Sequence, residues 1–264
     1  MAVEINIENI ALKELTLDNL AEEHICCAIG NDKTNKARAQ QKKEWLKSRF
    51  DAGHRFLKAD LRGKVFIEYS PAEVSVFPVE APGYALIQCF WVSGRYKGHG
   101  IGRKLYDQCE EDCRKAGYRG IVAVTTAKKK PFMVDKKVLT HFGFQVCDEA
   151  DPWYQLVVKK FDSSAREPHF ADTARRGMLQ EARGLDFFYS PACPFNEDFT
   201  HIMADIAREL GFSVRIKRLE TREDLALLPT PWGLFSVFLN GEMLSAEVMT
   251  ANKFRVLLES RKPA

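Results

Sequence analysis

The segment from Tyr84 to Lys115 constrains this chain more than any other. Tyr84 to Val92 reads YALIQCFWV, apolar at odd and even positions alike, as a strand covered on both faces must be. It runs into Gly94, Gly98, Gly100 and Gly102, and then into Arg103 to Lys115, a run of helix formers closed by Gly117. A buried strand followed by a glycine loop and a helix predicts a mixed α/β layer with the helix packed back over the sheet. Glycine lets backbone approach a ligand closely. The unpaired N–H groups and the dipole of a first helical turn suit an anion such as a pyrophosphate. Arg95, Lys97 and Arg103 add positive charge beside that turn.

The flanking pattern fills in the same layer. Val3, Ile5, Ile7, Ile10 and Leu12 alternate as in a strand running to Leu15, and Asp18 is placed to cap a helix starting near Asn19. Lys36 to Phe50 reads as a helix ending before Gly53. Arg55 to Asp60 and Lys64 to Ser70 read as strands joined at Arg62-Gly63, with Val74 to Val79 continuing the sheet. Ile121 to Thr126 is a second buried strand, Asp135 to Phe142 a helix closed by Gly143, and Trp153 to Phe161 a last strand.

The chain has 264 residues, 45% hydrophobic and 28% charged, enough for one large or two modest soluble domains. Lys plus Arg exceeds Asp plus Glu by only 39 − 36 = 3. The basic runs Lys33 to Lys47 and Lys128 to Lys130 read as solvated faces, so no nucleic-acid partner is expected. No apolar run reaches the ~18–20 residues of a membrane helix, and the N-terminus lacks the pattern of a signal peptide. Seven cysteines without a secretion signal point to reduced thiols and a cytoplasmic protein. Cys109 and Cys113 stand i, i+4 on a helix with no matching second pair, so they read as buried core thiols and no metal is expected.

The glycine loop lacks the G-x-G-x-x-G spacing of a dinucleotide site and the Gly-Lys-Ser/Thr of a phosphate-binding P-loop. Arg95, Gly98 and Gly100 instead resemble R/Q-x-x-G-x-G/A, the acetyl-CoA loop of the GNAT acetyltransferases. Val92 falls where that family closes its fourth strand, and Phe142-Gly143-Phe144 resembles the Gly-Phe that ends its later helix. The resemblance covers about residues 3–161. It implies a GNAT acyl-CoA N-acyltransferase fold with splayed fourth and fifth strands and with acetyl-CoA as co-substrate. Phe90, Trp91 and Val92 would meet the pantetheine. Lys97, Gly98, His99, Gly100, Ile101 and Gly102 would cradle the pyrophosphate, flanked by Arg95 and Arg103, with His99 turned to solvent. The implied reaction is direct attack of an amine, from a small molecule or a peptide, on the thioester. That reaction needs a proton acceptor and an acid for the leaving thiolate. Leu139 stands where many members have a tyrosine acid, which leaves Tyr154 or a water. Glu68 is the candidate base, with an exposed strand carboxylate as the alternative. Cys89 reads as a core thiol beside the cofactor strand.

Residues 162–183 read as a linker carrying a short helix around Ala171 to Ala182. From Gly184 to Ala264 the order is β-α-β-α-β-β-α, with an Asn240-Gly241 hairpin. A strand, then Cys193-Pro194-Phe195-Asn196, then a helix resembles the thioredoxin-like fold, where a cysteine at a helix start has a lowered pKa. Asn196 replaces the second cysteine of C-P-x-C, so Cys193 is either a reactive monothiol or a turn residue. A GNAT domain with such a tail resembles the YoaP-like acetyltransferases. Beside the transferase two other functions stand: a non-catalytic acyl-CoA sensor, and a thiol-dependent protein acting through Cys193.

Overall fold

The computed structural model describes residues 9–25, 27–180 and 182–261. The chain divides into two compact units, and their boundary falls between His169 and Phe170, with residues 76–78 and 150–152 joining the second.

The first unit is a seven-stranded sheet with helices on both faces. Its elements are β1 (Leu12–Glu14), α1 (Lys33–Phe50), β2 (Arg55–Ala59), β3 (Val65–Pro71), β4 (Ala85–Val92), α2 (Ile101–Lys115), β5 (Gly120–Thr126), α3 (Lys136–His141), β6 (Gln145–Ala150) and β7 (Tyr154–Lys160). The strand order is β1-β2-β3-β4-β5-β7-β6. Pairing is antiparallel from β1 through β4, parallel between β4 and β5, and antiparallel again between β5 and β7.

Local chemistry sets the helix ends. Asp32 caps α1 by accepting from Asn35 N at 3.0 Å, so α1 begins three residues earlier than Lys36. α2 buries Ile101, Leu105, Tyr106, Cys109 and Cys113, a helical stripe laid on Val65, Ile67, Tyr69, Ala85 and Ile87 of the sheet. Each large apolar side chain buried there contributes about 1.5–3 kcal/mol. The opposite face of the sheet meets α1, where Phe56 and Phe66 stack at 5.0 Å.

Three expectations change here, one lies outside the described residues, and one strand was not anticipated. Val3, Ile5 and Ile7 lie outside the described residues. No helix starts at Asn19; residues 17–22 are turns. The Asn19 side chain accepts from Thr16 N and donates to Glu14 O, local bonds that compete with helix formation. Val74 to Val79 does not extend the sheet: Ala72–Val74 is a 3₁₀ turn, and Val79–Glu80 is a two-residue strand outside it. The strand β6, with three of its six residues charged or amide, carried no usable alternation. Lys42, read as part of a solvated face, is fully buried.

The second unit contains β8 (Leu185–Tyr189), α4 (Asn196–Glu209), β9 (Val214–Arg218), α5 (Arg222–Leu225), β10 (Phe235–Leu239), β11 (Glu242–Ser245) and α6 (Ala251–Glu259). Its sheet runs β9-β8-β10-β11, with β8 and β9 parallel and the other pairs antiparallel. Asn240 (φ 50°) and Gly241 (φ 94°) make the tight turn between β10 and β11. Met203, Ala207, Phe254 and Leu258 cover one face of the sheet; Leu225 and Leu228 cover the other. The expected helix over Ala171 to Ala182 is instead a single 3₁₀ turn, Asp172–Arg175, followed by Gly177 at φ 68°, a backbone conformation that ends helices.

Candidate acyl-CoA site

The sheet of the first unit opens between β4 and β5. Their parallel pairing consists of Ala85↔Ile121, Leu86↔Val122 and Ile87↔Ala123, and β4 continues to Val92 without it. The opening coincides with a β-bulge. On β3, Glu68 and Tyr69 are adjacent, yet they pair with Cys89 and Ile87 of β4, so Gln88 is an extra residue in the ladder. A bulge bends its strand and increases the local twist, which is what parts β4 from its neighbour. The splay implied by the resemblance is therefore present, with Phe90, Trp91 and Val92 along it.

The loop after β4 ends at the start of α2. Gly98 and Gly100 have φ of 81° and 83°, and Gly100 is the N-cap, with no side chain bonded to the first turn. No acidic residue occupies that turn. Its N–H groups and positive dipole end therefore have no protein side chain as cap, the arrangement that suits an anion. A Cβ at Gly102 would lie 3.5 Å from Val92 Cγ2 and 3.6 Å from Phe90 Cζ, so α2 starts directly over the end of β4. Arg95, Lys97, His99 and Arg103 are exposed; Arg95 donates to Tyr96 Oη at 3.0 Å, and Arg103 sits 4.4 Å over the Phe142 ring. A surface cavity of about 580 Å³ opens beside the turn, lined by Leu12, Gly100, Arg103 and Lys104 among others. Glycines at positive φ, a helix start without a side-chain cap and flanking cations fit the pyrophosphate of coenzyme A.

The face of the sheet toward α1 carries a different chemistry. Glu68 is buried, not an exposed strand carboxylate. Its Oε2 accepts from Lys42 Nζ at 2.8 Å, and His54 Nε2 lies 3.5 Å away. Burial by itself pushes the Glu68 carboxyl up; the Lys42 ammonium and His54 together outweigh burial and hold it below the ordinary carboxylate range. Burial pushes the His54 imidazole down despite Glu68. His54 Nδ1 lies 2.8 Å from Gln88 Nε2, and Gln88 reaches Ser70 Oγ at 3.4 Å. Sequence reasoning found Glu68 and missed Lys42, His54, Ser70 and Gln88; they come from four separate segments, and no spacing joins them.

Tyr154 is buried at the start of β7, opposite Thr126 at the end of β5, which puts it at the splayed end of the sheet. Leu139 belongs to the hydrophobic core. Cys89 is half-buried, and Cys109 and Cys113 are fully buried. In the second unit Cys193 is half-buried in the turn before α4. Among the described residues no group of three or more His, Cys, Asp or Glu could hold a metal ion, and no helix is long and apolar enough to cross a membrane.

Comparison with known proteins gives the family. Residues 18–132 match the acetyltransferase (GNAT) family, and residues 214–255 match the YoaP-like family. The uncharacterized N-acetyltransferase YoaP of Bacillus subtilis (strain 168) is 36% identical over 247 residues, covering 94% of this chain and 98% of that protein. Similar solved structures include the PaiA N-acetyltransferase of Thermoplasma acidophilum in complex with coenzyme A (18% identity, 58% of this chain and 99% of that one, TM-score 0.41). Another is YncA of Salmonella typhimurium with its cofactor acetyl-CoA (16% identity, 60% and 97%, TM-score 0.42). The chain belongs to the GNAT acetyltransferase family and carries a YoaP-like C-terminal domain.

Proposed function

We propose that this protein transfers the acetyl group of acetyl-CoA to a primary amine of a small molecule or peptide, by direct attack of the neutral amine on the thioester. Membership of the family makes it an acetyl-CoA-dependent acetyltransferase. The acceptor class and the residue roles are our reading. The observation that carries them is the meeting, at one place, of the β4–β5 splay, the bulge at Gln88 and the uncapped start of α2.

In this reading the backbone of Phe90, Trp91 and Val92 pairs with the pantetheine. The N–H groups from Lys97 to Gly102 take the pyrophosphate, and Arg95, Lys97 and Arg103 add charge. Bound acetyl-CoA supplies the activated acyl group. As the C–N bond forms and the C–S bond breaks, the amine proton is drawn toward Glu68, and Tyr154 gives its phenolic proton to the departing thiolate and takes one back from solvent. The ion pair with Lys42 keeps Glu68 ionised and lowers its basicity, so the proton passes on to solvent rather than resting on the carboxyl.

The second unit we read as thioredoxin-like, on its β-α-β-α-β-β-α order and the parallel β8–β9 pair, with Cys193 as a reactive monothiol at the start of α4. The six described cysteines are unbridged, which supports a reducing, cytoplasmic setting. Leu139 at the position of the usual tyrosine acid favours one competing reading, a protein that binds acyl-CoA without turnover.

Calorimetric titration with acetyl-CoA, of the intact protein and of a Gly98→Trp, Gly100→Trp variant, tests the site. Binding that the variant loses is expected, and no binding by the intact protein overturns the reading. A panel of amine acceptors then separates enzyme from sensor. Cys193→Ser should leave transfer intact, because the acetyl site does not use that thiol.

A further inference from the structure

Side chains on β3 alternate between the two faces of the sheet. Val65, Ile67 and Tyr69 face α2, while Glu68 and Ser70 lie on the face that meets α1. On that second face Lys42, His54, Glu68, Ser70 and Gln88 are at most 6% exposed, and polar contacts of 2.8 to 3.5 Å join four of them in one line. It runs from the Lys42 ammonium to Glu68, from Glu68 to His54, and from His54 to the Gln88 carboxamide. Trp45 packs edge-on against His54 with ring centroids 4.9 Å apart, and its ring lies 4.2 Å from Lys42 Nζ.

Such a line is costly. Burying two charges and two further polar side chains sacrifices hydration that apolar residues would not need. Nor is the line internally complete. Gln88 Oε1 is buried with no hydrogen-bond partner, and His54 Nε2 has only the 3.5 Å approach of Glu68 Oε2, longer than a good hydrogen bond; buried polar groups left unsatisfied are uncommon in native interiors. Its end point explains its presence. Gln88 is the extra residue of the bulge, and β4 pairs with β5 only as far as Ile87. The line therefore grips the one residue at which β4 leaves its neighbour. Beyond that residue the edge of β4 turned to the splay has no β5 ladder, and backbone N–H groups on such an edge are donors for a carbonyl brought alongside.

We propose that His54 and Gln88 are positioning residues for acetyl transfer. The Lys42–Glu68–His54–Gln88 line holds the β4 bulge in register, and so holds the backbone donors of β4 in the orientation that polarises the thioester carbonyl. The proposal rests on the acetyl-CoA reading above and goes beyond it, because it makes the backbone's hold on the thioester depend on His54 and Gln88, two side chains with no role in that reading.

Infrared difference spectroscopy with acetyl-CoA carrying ¹³C at the thioester carbonyl reads that polarisation directly, on the full-length protein and without an acceptor. The wild-type protein should shift the carbonyl band to lower wavenumber than in free acetyl-CoA. His54→Leu, which cannot accept from Gln88, should bind acetyl-CoA with unchanged Kd while the band returns toward its free position. His54→Asn, whose carboxamide oxygen can accept in place of Nδ1, should restore the shift; a structural packing role would not be rescued this way. If His54→Leu does not fold, Gln88→Met gives the same reading from the other partner. A band shifted equally in wild type and in the folded variant overturns this inference alone. Absence of binding by the wild-type protein overturns the acetyl-CoA reading and this inference with it.

Discussion

Lys42 Nζ lies 2.8 Å from Glu68 Oε2, with 0% and 4% of the two side chains exposed. A pair this deep is worth little beside a well-packed apolar pair, yet breaking it strands a charge in the core. Lys42→Met should therefore destabilise the protein by about 3–5 kcal/mol, because Glu68 stays buried and unpaired. The double variant Lys42→Met, Glu68→Leu should recover most of that loss. Urea unfolding of both variants checks this, and a double variant as unstable as the single one would mean that the pair is not the source of the cost.

The same cluster sets a pH dependence of stability. Burial lowers the folded-state pKa of His54, and it also lowers that of half-buried His24. As pH falls below about 6.5, these histidines gain protons in the unfolded chain before they do in the folded one, so stability drops. Glu68, whose folded pKa is also depressed, adds a second loss in the same direction as pH falls below about 4.5 through its folded value. Stability should be level above neutrality and decline in two stages on the acid side. His54→Asn should reduce the first stage to the share of His24 and, by removing one of the groups that lower the Glu68 pKa, make the second smaller. Chemical unfolding at a series of pH values measures both, and an unaltered first stage in the variant would assign it to other histidines.

Part of this was legible in the sequence, and physics explains which part. The loop and α2 were readable because Gly98 and Gly100 answer a local backbone demand, φ near 80°, that only neighbouring residues decide. Asn240-Gly241 was readable for the same reason. The strand β6 was not, because its order comes from pairing with β7 rather than from its own side chains. The burial of Lys42 was not either. A lysine among charged helix residues looks solvated until a glutamate 26 positions away is folded beneath it. His54 follows a turn and Gln88 is the one amide in an apolar strand, and their relation exists only in three dimensions.

Gly102 separates stability from binding. It is the second residue of α2 and does not need a positive φ, and an added Cβ would make ordinary contacts with Val92 and Phe90. Gly102→Ala should stabilise the ligand-free protein by about 0.5–1 kcal/mol through reduced chain entropy. The same methyl group stands over the end of β4, where the cofactor is proposed to approach, so acetyl-CoA binding should weaken by about tenfold, or 1.4 kcal/mol. Thermal melts with and without acetyl-CoA read both effects. A variant that is more stable and binds equally well would move the cofactor away from this turn.

Asn196 shows why the second unit has no second cysteine at this place. Its buried carboxamide donates to Ser190 O at 3.2 Å and to Leu234 O at 2.6 Å, fastening the turn that holds Cys193 to the residue preceding β10. Leu234 O keeps a second donor, Ser190 N at 2.9 Å, but Ser190 O depends more heavily on the carboxamide. A thiol is a weak donor, so Asn196→Cys should cost about 1–3 kcal/mol under reducing conditions, the penalty for leaving a buried carbonyl poorly satisfied. Unfolding of the full-length variant in excess reductant, followed by far-UV circular dichroism, measures that cost. A variant as stable as the wild type would mean that the asparagine is not what holds the turn, and that position 196 is free to carry either residue.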